Sequence, residues 1–196
     1  MFWEFSGDKN ATLLEELYQT FANPNSINPT ENNSQTIYLE EGWNMISSYI
    51  IPETLDLIPL MNQIEEYLLI VKDGNGLAYL PEWEFNGIGD WDFKQGYQLK
   101  ISAPTALHIE GLTVQPEDHP LQIPLGWSLI SYLRQNPTDV GEVFENLIEE
   151  IILIKNSAGL AYLPDWDFNG IGNLQAGQGY QIKASSDIEL YYLAND

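Results

Sequence analysis

The sequence predicts a mainly β (α+β) fold, built from two tandem copies of a small antiparallel β unit, each with one packed amphipathic helix. Three observations lead to this prediction. A long motif occurs twice, because residues 77–89 (LAYLPEWEFNGIG) return as residues 160–172 (LAYLPDWDFNGIG), an offset of 83 residues (160 − 77). Strand-type runs with hairpin-length connections dominate each copy. Each copy also contains a single segment with helical periodicity.

A period of this length is too long for the common solenoid repeats and indicates domain-sized units. A capping-box pattern at 12–15 with apolar residues at helical spacing behind it predicts a leader helix, and the polar, turn-rich segment 23–35 predicts a flexible tether. Two prolines indicate a linker between the copies. The predicted boundaries are 1–35 for leader helix and tether, 36–111 for the first copy, 112–120 for the linker and 121–196 for the second copy.

Each copy is expected to begin with two strands, at 37–39 and 43–50 in the first copy and at 121–123 and 127–133 in the second. A buried strand, a glycine turn and a short strand follow after the helix, and one longer strand and a last strand complete the unit. These later elements are expected at 68–72, 73–76, 77–80, 96–100 and 106–109, with counterparts at 151–155, 156–159, 160–163, 179–183 and 189–192.

The helix of each copy is predicted from five apolar positions at spacings i, i+3, i+4, i+7 and i+11. These positions are Leu57, Leu60, Met61, Ile64 and Leu68 in the first copy and Val140, Val143, Phe144, Leu147 and Ile151 in the second. Asp56 and Asp139 stand where an N-terminal cap is needed. We interpret the stripe as packing against the sheet.

Composition excludes several classes of function. The chain of 196 residues has 29 acidic and 7 basic residues, a net charge of −22, which disfavours nucleic acid and anionic membranes as partners. It contains no cysteine, which excludes disulfides and thiolate metal sites. A hydrophobic fraction of 44% is sufficient for a core, and no stretch is long enough to insert into a membrane. Residues 1–8 lack the pattern of a signal peptide, so we expect a piece of a longer protein.

The acidic-aromatic segment of the repeat is the candidate ligand-binding site. Its residues are Glu82, Trp83 and Glu84 in the first copy and Asp165, Trp166 and Asp167 in the second. If the segment is a strand, the tryptophan lies on one face and both acids lie on the other. An exposed indole beside carboxylates can bind a sugar ring. The favoured interpretation is instead that both tryptophans fill the core, as large aromatic residues commonly do.

A possible calcium site is predicted in the first copy only. Its oxygen ligands would come from Asp73, Asn75, Asp90 and Asp92, whereas the second copy has Asn156, Ala158, Asn173 and Gln175 at these positions. Calcium requires six to eight oxygen ligands, and no bidentate glutamate stands where an EF-hand needs one. The alternative interpretation of residues 73–76 is an ordinary hairpin turn.

No catalytic residues are predicted. His108 corresponds to Tyr191 in the second copy, and His119 lies in the predicted linker. The sequence contains no nucleophile-elbow, phosphate-loop or dinucleotide-binding motif. The copies therefore share core and turn residues rather than reactive groups, and the expected protein is not an enzyme.

Four paired motifs carry a family resemblance: residues 42–47 (GWNMIS), 70–76 (IVKDGNG), 86–89 (NGIG) and 96–100 (GYQLK). Together they resemble a β-rich repeat found in tandem in large secreted and surface proteins of Bacteroidota. The resemblance covers both copies but not residues 1–35. It implies a non-catalytic accessory module and supplies no site residues.

The leading hypothesis is therefore a non-catalytic, extracellular or cell-surface module pair with a structural or interaction role in a larger protein. Its expected partners are neighbouring domains of that protein. The alternative is a carbohydrate-binding module in which Trp83 and Trp166 stack on a surface polysaccharide, with avidity from two equivalent sites.

Overall fold

The computed structural model describes residues 33–195, in which antiparallel sheets dominate and the helices are short. The mainly β prediction is confirmed. The strands are β1 (Asn33–Leu39), β2 (Gly42–Ile46), β3 (Ile50–Pro52), β4 (Leu68–Lys72), β5 (Ala78–Leu80), β6 (Phe85–Asn86), β7 (Tyr97–Ile101), β8 (Thr105–Thr113), β9 (Leu121–Ile123), β10 (Gly126–Ser131), β11 (Thr138–Asp139), β12 (Ile151–Lys155), β13 (Ala161–Leu163), β14 (Phe168–Asn169), β15 (Asn173–Leu174), β16 (Gly179–Ala184) and β17 (Ile188–Leu190). The α-helices are α1 (Leu57–Met61) and α2 (Val140–Val143), and 3-10 helices occupy Asn62–Ile64, Pro81–Trp83, Pro116–Asp118, Glu145–Glu150 and Pro164–Trp166.

The two copies form corresponding five-stranded sheets, with the orders β2-β7-β4-β5-β6 and β10-β16-β12-β13-β14. Their registers correspond as well, because Trp43 pairs with Lys100 in one sheet and Trp127 pairs with Lys183 in the other. A register shift interrupts β4 after Leu68 and β12 after Ile151. The two copies thus share their strand order, their pairing register and the position of the register shift.

The segments flanking the first copy are more ordered than the sequence predicted. Strand β1 begins at Asn33, so residues 33–35 are not a tether, while the predicted leader helix lies outside the described residues. Residues 112 and 113 of the predicted linker continue β8, which pairs with both β1 and β3. Val114 is then buried in the core of the second copy. These segments are held by strand pairing and by packing between the copies.

Both helices are shorter than predicted, although the apolar stripe is buried as expected. All five stripe residues of the first copy are buried, as are Val140, Phe144 and Ile151 in the second, with Val143 and Leu147 packed against the core. The predicted caps form, because Asp56 Oδ1 accepts a hydrogen bond from Ile58 N at 3.0 Å and Asp139 Oδ1 accepts one from Gly141 N at 2.8 Å. The last stripe residue of each copy lies in β4 or β12, so the chain must leave the helical conformation before reaching it.

Each copy has its own hydrophobic core, and the two cores adjoin within one compact unit. Phe93 packs against both cores. Ile51 of the first copy and Val114 of the predicted linker pack into the second core. The copies are therefore parts of one packed structure.

The copies meet through reciprocal backbone contacts. A β-bridge joins Ile46 to Gln178, and the corresponding bridge joins Ile130 to Gln95. At each bridge a glycine lies against the other copy: a Cβ on Gly179 would stand 2.6 Å from the Ile46 carbonyl oxygen, and a Cβ on Gly96 would stand 2.7 Å from that of Ile130. Each copy therefore contributes the same two surfaces to the contact, as each subunit of an isologous dimer does.

Two buried tyrosines support the loops that make these bridges. The Tyr97 hydroxyl accepts a hydrogen bond from Asp92 N at 2.7 Å, and the Tyr180 hydroxyl accepts one from Gln175 N at 2.8 Å. Burial raises the pKa of both Tyr97 and Tyr180 to about 12. In the folded protein each hydroxyl therefore stays protonated at pH values above the ordinary tyrosine pKa of 10.0.

We expect Gly179→Ala to lower the free energy of unfolding by about 1–3 kcal/mol, because its methyl group would overlap the Ile46 carbonyl. Gly74→Ala is the matched control, since a Cβ there meets Leu129 at an ordinary 3.4 Å. Denaturant titration of both variants measures the difference. Equal stability of the two variants would contradict the close approach.

We also expect stability to fall as the pH rises. The raised pKa of Tyr97 and Tyr180 favours the fold below the ordinary tyrosine pKa of 10.0, and this contribution is lost as the pH rises towards about 12. The Tyr97→Phe/Tyr180→Phe variant should lose stability less steeply over this window. Free energies of unfolding measured at several pH values test this, and a slope identical to that of the wild type would count against it.

Candidate ligand-binding surface

Trp83 and Trp166 lie on the surface, so the expectation that they fill the core is wrong. Their side chains are 73% and 80% exposed. Each ends a short 3-10 helix that follows directly after β5 or β13. The large aromatic residue that fills the first core is instead Trp91, which stacks on Tyr97 with ring centroids 4.2 Å apart.

The acids beside these tryptophans are not arranged by strand alternation, because this segment is a turn. Glu82 and Asp165 lie within the 3-10 helices, while Glu84 and Asp167 follow them in the left-handed conformation, both with φ of 50°. All four acidic side chains are exposed. In each copy the two acids flank the exposed tryptophan directly in sequence.

Backbone hydrogen bonds and an asparagine hold this turn in both copies. Glu84 N donates to Pro81 O, and Asp167 N donates to Pro164 O, each at 3.0 Å. Asn86 Oδ1 accepts from Gly89 N at 2.9 Å, and Asn169 Oδ1 accepts from Gly172 N at 2.7 Å. The Asn-Gly part of the motif is therefore structural, and it fixes the position from which the tryptophan projects.

A row of exposed or half-buried residues crosses the outer face of each sheet, the face opposite the core. In the first copy, strand pairing places Trp43 beside Lys100, Lys100 beside Ile70, and Leu80 beside Phe85. The corresponding residues of the second copy are Trp127, Lys183, Leu153, Leu163 and Phe168. In each copy the row begins at Trp43 or Trp127. It ends at Phe85 or Phe168, close in sequence to the exposed Trp83 or Trp166.

Sequence reasoning missed the first tryptophan of this row and the lysines around it. Trp43 and Trp127 are each 50% exposed. The ammonium groups of Lys72 and Lys100 lie 5.3 and 5.9 Å from the Trp43 ring centroid, within cation–π range. Around Trp127 the distances are 5.5 Å for Lys155 and 5.7 Å for Lys183. The sequence did contain a signal for the lysines. The segments that include Lys72 and Lys100 return in the second copy with Lys155 and Lys183 at the corresponding positions.

Two clefts between the copies adjoin these tryptophans. One, of about 220 Å³, is lined by Trp43 and Met45 of the first copy and by residues 155–157 and 159 of the second. The other, of about 280 Å³, is lined by Trp127 and Leu129 together with Gly74 and Asn75 of the first copy. Each cleft thus combines a tryptophan of one copy with the hairpin turn of the other.

The residues predicted to bind calcium do not form such a site. Among residues 33–195, no three Asp, Glu, His or Cys side chains are grouped as a metal ion would require. Asp73 instead closes the hairpin, because its Oδ1 accepts hydrogen bonds from Asn75 N at 2.9 Å and from Leu77 N at 2.7 Å. Asp92 Oδ1 accepts a hydrogen bond from Lys94 N, and Asp90 forms a β-bridge with Asp56. The hairpin interpretation of residues 73–76 is correct.

Comparisons with known proteins add no assignment. No protein-family model, curated protein or solved structure matches this chain. In the part of the chain that the structure describes, no helix has the length and apolar character needed to cross a membrane.

We expect Glu84→Gly to raise the free energy of unfolding by up to about 1 kcal/mol, because glycine adopts the left-handed conformation without strain. Glu82→Gly, in the 3-10 helix of the same turn, is the control and should lower it by about 0.5–1 kcal/mol. Denaturant titration distinguishes the two. If both variants are destabilised equally, residue 84 is not strained.

Proposed function

We propose that this chain is a non-catalytic module pair of a larger secreted or surface protein, and that it binds a polysaccharide through Trp83 and Trp166. The exposure of both tryptophans, at the same turn of both copies, is the observation that supports this proposal. Exposing an indole forgoes the stabilisation that burial of a large aromatic side chain provides. Its occurrence in both copies favours a use for that surface.

The chemistry of the turn suits a sugar. The apolar face of a pyranose can stack on an exposed indole, while the adjacent carboxylates accept hydrogen bonds from its hydroxyl groups. Glu82 and Glu84 in one copy, and Asp165 and Asp167 in the other, supply these acceptors beside the tryptophan. Because backbone hydrogen bonds hold the turn from which the indole projects, binding requires little ordering of the backbone there.

A second candidate partner is a neighbouring domain of the parent protein. Other apolar side chains are exposed in both copies, namely Leu69, Leu77 and Phe85 with their counterparts Ile152, Leu160 and Phe168. Such residues suit a packing surface between domains. A lack of binding to any polysaccharide would favour this candidate.

Affinity electrophoresis against a panel of soluble polysaccharides tests the first candidate. The wild type should be retarded by at least one polymer, and Trp83→Ala/Trp166→Ala should lose this retardation because both stacking surfaces are removed. Tyr38→Ala, which removes an exposed aromatic residue from β1, is the control and should bind normally. Retardation that survives in a folded double variant would contradict the role of these tryptophans.

Single variants distinguish avidity from one dominant site. Trp83→Ala and Trp166→Ala should each weaken binding to a long polymer strongly but change binding to a short oligosaccharide only about twofold, because a short ligand does not engage both copies at once. If one single variant abolishes all binding and the other has no effect, only one copy binds.

A further inference from the structure

The few basic residues of this acidic chain are concentrated at two equivalent places. The chain has 7 basic residues, of which Lys9 precedes the described range. Four of the other six lie over Trp43 and Trp127, whereas Lys94 lines the cleft beside Trp127 and Arg134 lines neither cleft. We refer to Lys72, Trp43 and Lys100, and to Lys155, Trp127 and Lys183, as the two Lys-Trp-Lys sites.

These four lysines are also the basic positions that the two copies share. Lys94 corresponds to Gly177, and Arg134 corresponds to an isoleucine of the first copy. Acidic positions differ between the copies too, since Asp90 corresponds to Asn173. The Lys-Trp-Lys sites are thus retained although several other charges differ between the copies.

The lysines of both sites contact tryptophans rather than acids. Within residues 33–195, none of the four ammonium groups forms an ion pair with a carboxylate. Each instead lies over an indole that is half exposed. An ammonium group beside an indole keeps hydrogen-bond donors free, because the cation–π contact uses none of them in a directed bond.

The sheet register holds each site in place. Lys100 is directly opposite Trp43 on β2 and β7, and Lys72 lies on the next strand, β4. The hairpin turn of the other copy adds Asn156 and Ser157 to the cleft beside Trp43. Two cations, an aromatic surface and polar groups therefore converge beside a cleft between the copies.

We propose that the polysaccharide bound by this protein is anionic, and that each Lys-Trp-Lys site binds a carboxylate or sulfate group of one of its sugars. This inference rests on the proposed function and adds the charge of the ligand. The two ammonium groups donate charge-assisted hydrogen bonds to the oxyanion, while the indole contacts the sugar ring. The row across the sheet then leads towards Phe85 and Trp83, four strand spacings or about 19 Å away.

The net charge of −22 does not prevent such binding. Exposed charges are screened beyond about 8 Å at physiological ionic strength, so an oxyanion in the site interacts mainly with the two nearby ammonium groups. The repulsion from the rest of the surface acts chiefly on long-range association, and it disfavours polyanions that lack a group matching the site.

Matched polymers test the charge of the ligand. Titration calorimetry at about 0.15 M salt compares dextran with dextran sulfate, and methyl-esterified pectin with polygalacturonate. The wild type should bind the charged member of at least one pair at least tenfold more tightly than the neutral member. Equal affinity for both members of each pair, or no binding to either charged polymer, would overturn the inference.

Variants then locate the binding. Replacing all four lysines by glutamine (Lys72, Lys100, Lys155 and Lys183) should weaken binding of the charged polymer at least tenfold, whereas replacing them by arginine should preserve it. The control Ser34→Glu/Asn62→Glu/Gln115→Glu/Gln135→Glu makes the same change in net charge at exposed positions away from both clefts. This control should weaken binding much less. Equal weakening by the control and by the glutamine variant would show a general charge effect and overturn the site.

The two proposals can fail separately. Binding of a neutral polymer that is lost in Trp83→Ala/Trp166→Ala, with no effect of the glutamine variant, would refute the anionic sites and leave the proposed function standing. In that case the lysines would serve only to stabilise the exposed indoles. Thermal unfolding of each variant confirms that it is folded before its binding is compared.

Discussion

The close backbone approach at Gly96 and Gly179 is the contact on which the arrangement of the two copies depends. At each place a strand of one copy lies so near the other copy that a Cβ would overlap a carbonyl oxygen. The two β-bridges there are reciprocal, so the hairpin turn of each copy is brought against the outer face of the other. Without this contact, neither cleft would have its second wall.

The five-stranded sheets convert this arrangement into a surface. Their core faces carry Val71, Tyr79 and Leu99, or the counterparts of these residues, and their outer faces carry the row from Trp43 to Phe85. Because side chains alternate along a strand, the residues that stabilise the core fix the position of those that face solvent. The same register therefore determines both the packing and the candidate ligand-binding surface.

The surface combines features that a purely structural module does not need. Exposed indoles, acids in the left-handed conformation and lysines held over tryptophans each reduce stability or add little to it, yet each occurs in both copies. Such features commonly mark functional surfaces, since selection for stability alone would remove them. Their joint occurrence in both copies is the physical basis for proposing a ligand-binding surface.

The repeat, the mainly β class, the buried helical stripe and its aspartate caps could be predicted from the sequence, because they follow from local periodicity and from hydrogen bonds within a few residues. The positions of Trp83 outside the core and Trp91 inside it could not be predicted in this way, because burial depends on what packs against a residue from distant parts of the chain. The same holds for the Lys-Trp-Lys sites. In the first copy, Lys72 and Lys100 lie 29 and 57 residues (72 − 43 and 100 − 43) from Trp43 along the chain and meet it only through strand pairing. The ordering of residues 33–35 and 112–114 likewise required β3, β8 and the second core, partners that no local pattern reveals.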